Sequence, residues 1–471
     1  MKQSWFNSVL PIAALFSFRM LGLFMLIPVF TVYANHLTGA TPMLIGIALG
    51  SYGLSQGLLQ IPFGMLSDRF GRKPILTLGL ILFAVGSLIG ALTTSIHGMI
   101  FARMIQGTGA IGSVLIALMA DLTPDNQRTK AMAVIGVTIG LSFSLAMVIS
   151  PAITRAFGLS GIFYLTTLLA TSGLILLHAI IPTPQKEPFH LDSQLRPKLF
   201  KQVLSNRHLQ RLNVGIFFQH FILTSTFFSI PILLQQQIQR GTLSEQWHFY
   251  LPLMVFSFFT MMPFLTLAEK KQKIKPIFLG SVLITCLCQL ALAFTYQHWF
   301  AICGFMFFYF VGFNILEASL PSMISRQADA GSKGTAMGIY SSSQFLGIFA
   351  GGISAGIVYQ YFGSPGIFMV NSLIALSWAG IAYYIKPHAY QLTLILAYEP
   401  LKHNSADLSQ ALYALPGVKE VVIASEENTI YLRINKSSYE EGSAERTINP
   451  ENYLSMDKYW SLDKPRSNTS P

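Results

Sequence analysis

Charged residues are scarce in this sequence. Asp, Glu, Lys and Arg make up 11% of its 471 residues, and apolar residues make up 52%. A soluble domain carries about a quarter charged residues, so an ordinary soluble protein is excluded. Runs of about 20 apolar residues recur between residues 8 and 386, and runs of this length are typical of transmembrane helices. The lipid bilayer is therefore the first expected partner.

Cysteine is almost absent, with Cys286, Cys288 and Cys303 all inside apolar runs. Three such residues exclude a disulfide scaffold, and Cys-x-Cys lacks the spacing of a zinc site, so they are expected to be packing residues. The sequence also has no nucleophile–base pair, phosphate-binding P-loop or metal cluster. We therefore expect no enzyme activity, no ATPase motor, no cofactor and no metal.

The apolar runs predict an all-α membrane protein, because only helices satisfy the backbone of such segments in lipid. We count twelve transmembrane spans. Their ranges are 8–35, 42–66, 74–93, 97–120, 129–153, 161–181, 212–236, 248–268, 276–295, 299–325, 334–358 and 366–385.

The basic residues that give the chain its net charge of +11 lie mainly in alternate turns between the spans. The turns after the even-numbered spans 2 to 10 hold 17 Lys and Arg, whereas the turns after the odd-numbered spans hold only Arg155 and Arg240. Basic residues concentrate on the cytoplasmic side of membrane proteins. The pattern predicts a multi-pass membrane protein with both termini in the cytoplasm, and it argues against nucleic acid as the partner.

An internal sequence repeat divides the twelve predicted spans into two halves of six. Pro62-Phe63 and Pro74-Ile75 are echoed by Pro263-Phe264 and Pro276-Ile277, at offsets of 201 and 202. A shift of six helices preserves orientation, so the two halves are parallel repeats with a substrate site expected between them. The predicted units are an N-terminal half (1–182), a cytoplasmic linker (183–211) and a C-terminal half (212–386).

The composition changes after residue 387. Residues 391–397, 418–424 and 429–435 have the pattern of strands, and residues 404–415 that of a short helix. The order predicts a small α+β domain, βαββ and ferredoxin-like, over 390–436 on the cytoplasmic side. Residues 437–471 are polar and are expected to be disordered.

Glycines recur at spacings that allow helices to approach closely in lipid. They lie in spans 2, 5 and 11, and we expect movable helix contacts there. The positions are Gly46, Gly50, Gly53, Gly57, Gly136, Gly140, Gly347, Gly351, Gly352 and Gly356.

A charged insert, GMLSDRFGRKPIL (64–76), separates spans 2 and 3. It matches G-x-L-a-D-r-x-G-r-k-x-x-L, the loop signature called motif A, and residues 103–107 match R-x-x-Q-G. On these motifs, residues 1–386 resemble the major facilitator superfamily of transporters. The resemblance implies a monomeric, proton-coupled exporter (an efflux antiporter) of the bacterial inner membrane that acts on small molecules such as hydrophobic or drug-like compounds. The antiporter motif of span 5 is altered, since Ser150 precedes Pro151. Three alternative functions therefore remain: a facilitator, a proton-coupled importer, or a sensor that acts through the C-terminal domain.

The insert is expected to act in gating. Asp68 ends a helix, where a carboxylate is unfavourable, so it needs compensation from Arg72 or from the amide end of span 11. The resemblance implies a cytoplasmic latch between the halves that includes Asp121 and stabilises the outward-open state; a static loop contact is the alternative. The predicted latch residues are Gly64, Asp68, Arg69, Gly71, Arg72, Lys73, Asp121 and Gly334.

Isolated ionisable groups inside the spans are candidates for proton coupling. Glu317 is the best candidate for a proton carrier, and His220 is a further candidate because histidine side chains ordinarily titrate near neutrality, with a hydrogen-bonded bystander as the alternative. Arg19 is embedded in span 1. The resemblance implies a coupling role for Arg103, with a hydrogen bond to a span 1 carbonyl as the structural alternative.

Polar and aromatic side chains within the spans are candidates for substrate contact. They lie in both halves, where a central cavity is expected. The residues are Tyr52, Gln56, Gln60, Gln106, Gln219, Asn314, Tyr340, Ser343 and Gln344.

Overall fold

The computed structural model describes residues 5–123, 125–183, 197–270, 273–328, 332–385, 391–397, 405–424, 429–435 and 438–448. Most of these residues are helical. Within the membrane part of these ranges the α-helices are α1 (Trp5–Phe24), α2 (Phe30–Tyr33), α3 (Pro42–Phe70), α4 (Arg72–Leu92), α5 (Ile96–Thr108), α6 (Gly112–Asp121), α7 (Asp125–Ala179), α8 (Pro197–Ser205), α9 (Arg207–Gln239), α10 (Trp247–Lys270), α11 (Ile274–Thr295), α12 (Trp299–Gln327) and α13 (Lys333–Tyr383).

The predicted all-α membrane fold is confirmed. Among the described residues, nine helical segments are long and apolar enough to cross a membrane, with α5 and α6 counted as one. Two of the nine, α7 and α13, each contain two predicted spans, which meet at Gly158 (φ 67°) and Gly363 (φ 64°). These two kinks lie 205 residues apart, close to the offsets of 201 and 202 in the sequence repeat. Together with α1 the segments account for all twelve predicted spans.

Two predicted spans are interrupted. The first breaks between α1 and α2, beside Pro28, which has no N–H to continue a helix. The fourth breaks at residues 109–111, between α5 and α6. Gly107, Gly109 and Gly112 weaken the helix there, because glycine is a poor helix former. The second break gives the chain a helix N-terminus in the middle of a span.

The linker predicted over 183–211 is partly helical, contrary to expectation. It contains α8, and α9 begins at Arg207, ahead of the predicted residue 212. Asn206 caps α9, since its side-chain oxygen accepts from the amides of His208 and Leu209 at 3.0 and 3.4 Å. Residues 184–196 of the linker lie outside the described residues.

Each half has an apolar core, and a third cluster joins the halves. This cluster contains Leu26, Ile45 and Leu159 of the N-terminal half together with Phe228 and Ile367 of the C-terminal half. It lies near the first turns of α3, which begins at Pro42. The halves are therefore packed together at the end of α3 that is remote from the charged insert.

Helices α3 and α13 touch backbone to backbone. A Cβ on Gly50 would lie 2.7 Å from the Phe349 carbonyl oxygen, and one on Gly57 would lie 3.2 Å from that of Ser342. These pairs show an antiparallel register. Continued along both helices, the register brings the C-terminal end of α3 and the N-terminal end of α13 to the same end of the pair.

The expected close approach at the span 5 glycines is wrong. A Cβ on Gly136 or Gly140 would meet nothing within 4 Å in the described part of the chain. Their neighbours Val137 and Leu141 are 60% and 65% exposed. The stripe therefore lies on the outer surface of α7, away from the other helices.

The C-terminal domain has the predicted βαββ order, β1 (Gln391–Ala397), α14 (Ser405–Tyr413), β2 (Val418–Ala424) and β3 (Thr429–Asn435). The sheet is antiparallel with the order β1-β3-β2. The disorder expected over 437–471 is wrong for residues 438–448, which include α15 (Ser443–Ile448). Ala444 and Ile448 join the domain's core, so this segment buries enough apolar surface to be ordered. Residues 449–471 lie outside the described residues.

The glycines of α3 generate a stability prediction. We expect Gly46→Ala to lower the free energy of unfolding by about 1–3 kcal/mol, because its new methyl group would overlap the backbone of Gly352 and Gly356, which cannot move aside. Gly140→Ala is the matched control and is expected to be neutral. Thermal unfolding of the two purified variants checks the prediction; equal melting temperatures would contradict it.

Candidate functional site

The charged insert forms the turn between α3 and α4. Gly71 stands between the two helices with φ 94°, and its amide donates to the Ser67 carbonyl at 3.0 Å. A side chain at this φ would be strained, which explains the motif's glycine. The turn places Arg72 at the first position of α4, directly beside the end of α3.

Arg72 is the centre of a buried ion-pair cluster. Its Nε donates to Asp121 Oδ2 at 2.8 Å, its Nη1 donates to Ser67 Oγ at 2.7 Å, and it also pairs with the Asp68 carboxylate. The Arg72 side chain is 2% exposed. The structure thus brings together Asp68, Arg72 and Asp121, from α3, α4 and α6. Ser67 was not predicted, because nothing in the sequence distinguishes this serine.

The other predicted latch residues surround this cluster. Arg69 is exposed, with its guanidinium 5.3 Å from the Phe70 ring centroid, and Lys73 is half-buried. The Gly64 carbonyl accepts from the Ser67 hydroxyl at 2.7 Å. Gly334 lies in the first turn of α13. Asp68, Arg72 and Asp121 all belong to the N-terminal half, whereas Gly334 and the rest of α13 belong to the C-terminal half.

A second polar cluster lies inside the N-terminal half. Arg19 Nη2 donates to the Tyr52 hydroxyl at 3.3 Å, and the Arg103 guanidinium lies 4.7 Å from the Tyr52 ring centroid. Gln106 accepts from Arg103 Nη1 and donates to Ser87 Oγ at 2.9 Å. Both arginines are buried, at 2% and 3% exposure. Four elements, α1, α3, α4 and α5, contribute to this cluster.

Two details differ from expectation. Arg103 contacts Gln106 and Tyr52, rather than a span 1 carbonyl or a carboxylate. Ser87, the partner of Gln106, was missed, since it is an unremarkable serine of span 3. The nearby amide of Gln56 donates to Gln60 Oε1 at 3.3 Å, so both predicted glutamines are buried and hydrogen-bonded.

A third polar cluster lies in the C-terminal half. Gln219 Nε2 donates to Glu317 Oε2 at 3.0 Å, and His220 Nε2 lies 3.9 Å from the same oxygen. The Gln344 amide nitrogen is 2.8 Å from His220 Nε2. The Glu317 side chain is 38% exposed and that of His220 is 7% exposed. A carboxylate open to protons therefore lies beside a sheltered imidazole, across α9, α12 and α13.

The remaining predicted substrate residues have local partners. Asn314 donates to Ser257 Oγ at 3.2 Å and so ties α12 to α10, and Ser343 donates to the Ile339 carbonyl of its own helix. Tyr340 is buried. A groove of about 430 Å³ between the ends of α9 and α13 is lined by Arg211, Tyr384 and neighbours, and by none of the predicted residues.

Known proteins resemble this chain over most of its length. The profile of the Major Facilitator Superfamily matches residues 12–352 and, in a second match, residues 253–396. The inner membrane transport protein YajR of Escherichia coli (strain K12) is 42% identical over 427 residues, which are 90% of this chain and 93% of YajR. An uncharacterized transporter of Buchnera aphidicola subsp. Acyrthosiphon pisum is 36% identical over 345 residues, 73% of this chain and 87% of that protein.

Solved structures agree on the fold. The crystal structure of a D-xylose-proton symporter superposes with a TM-score of 0.64 at 15% sequence identity, covering 80% of this chain and 98% of the symporter. The matched family and relatives are transporters and not enzymes. Because the profile matches more than half of the sequence, and YajR is 42% identical over 90% of it, the chain belongs to the Major Facilitator Superfamily.

Proposed function

We propose that the protein is a proton-coupled secondary transporter of the bacterial inner membrane that exports small molecules by alternating access. The observation that carries the proposal is the Glu317 carboxylate, 3.9 Å from His220 between the helices of the C-terminal half. Ionisable groups inside membrane-spanning helices are costly, and their presence there indicates a functional site. Similarity to an inner membrane transport protein supports the location, and the positive-inside pattern supports cytoplasmic termini.

Proton movement supplies the driving force in this proposal. One proton crossing a potential of 100 mV releases about 2.3 kcal/mol, enough for modest uphill transport. Glu317 is the proposed carrier, because its carboxylate is exposed enough to exchange protons. His220 and Gln219 hold it in place and respond to its charge. We propose that Asp68, Arg72 and Asp121 form the latch at the cytoplasmic end, and that the protein acts as a monomer.

The role of Glu317 is tested by proton flux. We expect Glu317→Gln to abolish substrate-driven proton movement and the pH dependence of transport, because the amide binds no proton in this range. Glu245→Gln, which removes an acid paired with Arg155 near the start of α10, is the matched control. Proton movement is measured in proteoliposomes with an internal pH-sensitive dye. The transported substrate is a compound that stabilises the purified protein in a thermal screen. Unchanged pH dependence in Glu317→Gln would remove it from the mechanism.

The latch is tested by an arginine-to-lysine exchange. We expect Arg72→Lys to lose most transport and to destabilise the protein by about 1–3 kcal/mol, because a lysine cannot serve Asp68, Asp121 and Ser67 together. Arg69→Lys, at the exposed neighbouring position, is expected to behave as wild type. Transport in proteoliposomes and thermal unfolding are measured for both. Wild-type transport by Arg72→Lys would show that the cluster does not gate.

Deletion of the C-terminal domain distinguishes the transporter hypothesis from the sensor hypothesis. The domain has its own apolar core, including Leu412, Ile430 and Leu432. We therefore expect deletion of residues 388–471 to leave the transport rate within about twofold of wild type, since the membrane part folds around separate cores. Transport by the truncated protein in proteoliposomes checks this. Loss of transport in a truncated protein that is correctly inserted would favour the sensor alternative.

A further inference from the structure

Two of the buried arginines of the N-terminal half, Arg19 and Arg103, have no anionic partner among the described residues, unlike Arg72. The half contains three carboxylates in all, Asp68, Asp121 and Asp125. Asp68 lies 16 residues beyond Tyr52 on α3, or about 24 Å along the helix. The contacts of Arg19 and Arg103 in the described structure are all to uncharged groups, namely Tyr52 and Gln106. Two guanidinium groups are therefore buried around one tyrosine without a counter-charge.

Several of their hydrogen-bond donors are unused. Arg19 Nε, Arg19 Nη1 and Arg103 Nε are buried and have no partner in the described part of the chain. Leaving a charged donor buried without an acceptor is costly, so these three donors call for an acceptor from outside the described chain. Arg19 Nη1 is the most informative of the three, because of what lies beside it.

Arg19 Nη1 is next to the N-terminus of α6. A Cβ on Gly112, the first residue of α6, would lie 3.5 Å from Arg19 Nη1 and 3.5 Å from Gln60 Nε2. In the described backbone, the first hydrogen bond into α6 runs from the Leu115 amide to the Ile111 carbonyl, and no side chain caps the helix. The amides of Gly112 and the next two residues therefore remain as donors. A helix N-terminus attracts negative charge.

We propose that Arg19, Arg103, Gln60 and the N-terminus of α6 form a binding site for the anionic group of a small organic anion. The anion accepts hydrogen bonds from Arg19 and from the α6 amides, and Arg103 adds a second positive charge behind Tyr52. The inference rests on the proposed transport function, for which it names a substrate class, but not on the direction of transport. It assigns Arg19 to substrate binding instead of to proton coupling.

The site lies at the boundary between the halves. The Tyr52 ring, held between the two arginines, also packs edge-on against Phe345 of α13, with ring centroids 6.3 Å apart. Separation of α3 from α13 would therefore open the cluster, while their contact buries it. Such a position suits a ligand that is loaded in one conformation and enclosed in another.

The test measures thermal stabilisation of the full-length purified protein. The probes are benzoate, inorganic phosphate and sulfate, compared with benzamide as the neutral and benzylamine as the cationic analogue of benzoate. We expect at least one anion to raise the melting temperature saturably, and the neutral and cationic analogues to have no effect. No effect of any anion, or an equal effect of benzamide or benzylamine, would overturn the proposal.

Arg19→Gln provides the second measurement. We expect its affinity for the stabilising anion to fall by at least about tenfold, from the loss of a charge-assisted hydrogen bond. Without ligand this variant should melt at or above the wild-type temperature, because a buried, uncompensated charge has been removed. Arg155→Gln, whose arginine side chain is 62% exposed, is the control and should bind as wild type. Lower stability of ligand-free Arg19→Gln, or unchanged anion binding, would show a structural arginine instead.

The proposed proton coupling and the proposed anion site can each be disproved without disproving the other. Anion binding in detergent does not require Glu317, so Glu317→Gln should keep the stabilisation by the anion. If the wild type moves protons in proteoliposomes but binds no anion, only the assignment of the substrate class is wrong. If it binds the anion but no proton movement accompanies transport, only the proton coupling is wrong.

Discussion

An ionisable group between these helices must find its compensation inside the protein, because the bilayer core offers none. The three polar clusters meet this constraint in different ways. Arg72 is neutralised by Asp68 and Asp121. Glu317 is held by an amide and lies beside an imidazole, so its charge can change with its protonation. Arg19 and Arg103 have only uncharged partners. The degree of compensation thus distinguishes the ion-paired Arg72, the titratable Glu317 and the proposed anion site at Arg19 and Arg103.

Close helix packing determines where these clusters lie relative to one another. Glycines let the backbones of α3 and α13 touch, and the same face of α3 carries Tyr52, which contacts both arginines and Phe345. Asp68 lies near the C-terminal end of the same helix. One helix therefore connects the contact between the halves, the arginine cluster and the ion-pair cluster. A tilt of α3 against α13 would alter all three, so this helix is the element that the proposed latch and the proposed anion site share.

The sequence predicted the fold well, because hydrophobic run length and the positions of basic residues are direct consequences of the bilayer. The insert and Arg72 were also predicted, since a charge at a helix end has few local partners to choose from. Periodicity could not reveal which face of a helix meets a neighbour, so Gly136 and Gly140 were misassigned. The break before Gly112 was missed as well, because the length of an apolar run does not show where a helix is interrupted, although Gly107, Gly109 and Gly112 weaken the helix there.

The electrostatics of the two halves restrict how proton and anion can be coupled. At an effective dielectric constant of about 20, two unit charges about 10 Å apart interact by roughly 1.7 kcal/mol. An anion at Arg19 that shares a chamber with Glu317 would thus favour protonation of Glu317 by more than tenfold, so that proton and anion bind together. Export by exchange requires the opposite sign. It therefore requires the anion to leave Arg19 before Glu317 takes up its proton, which means that the two clusters are loaded in different conformations of α3 and α13.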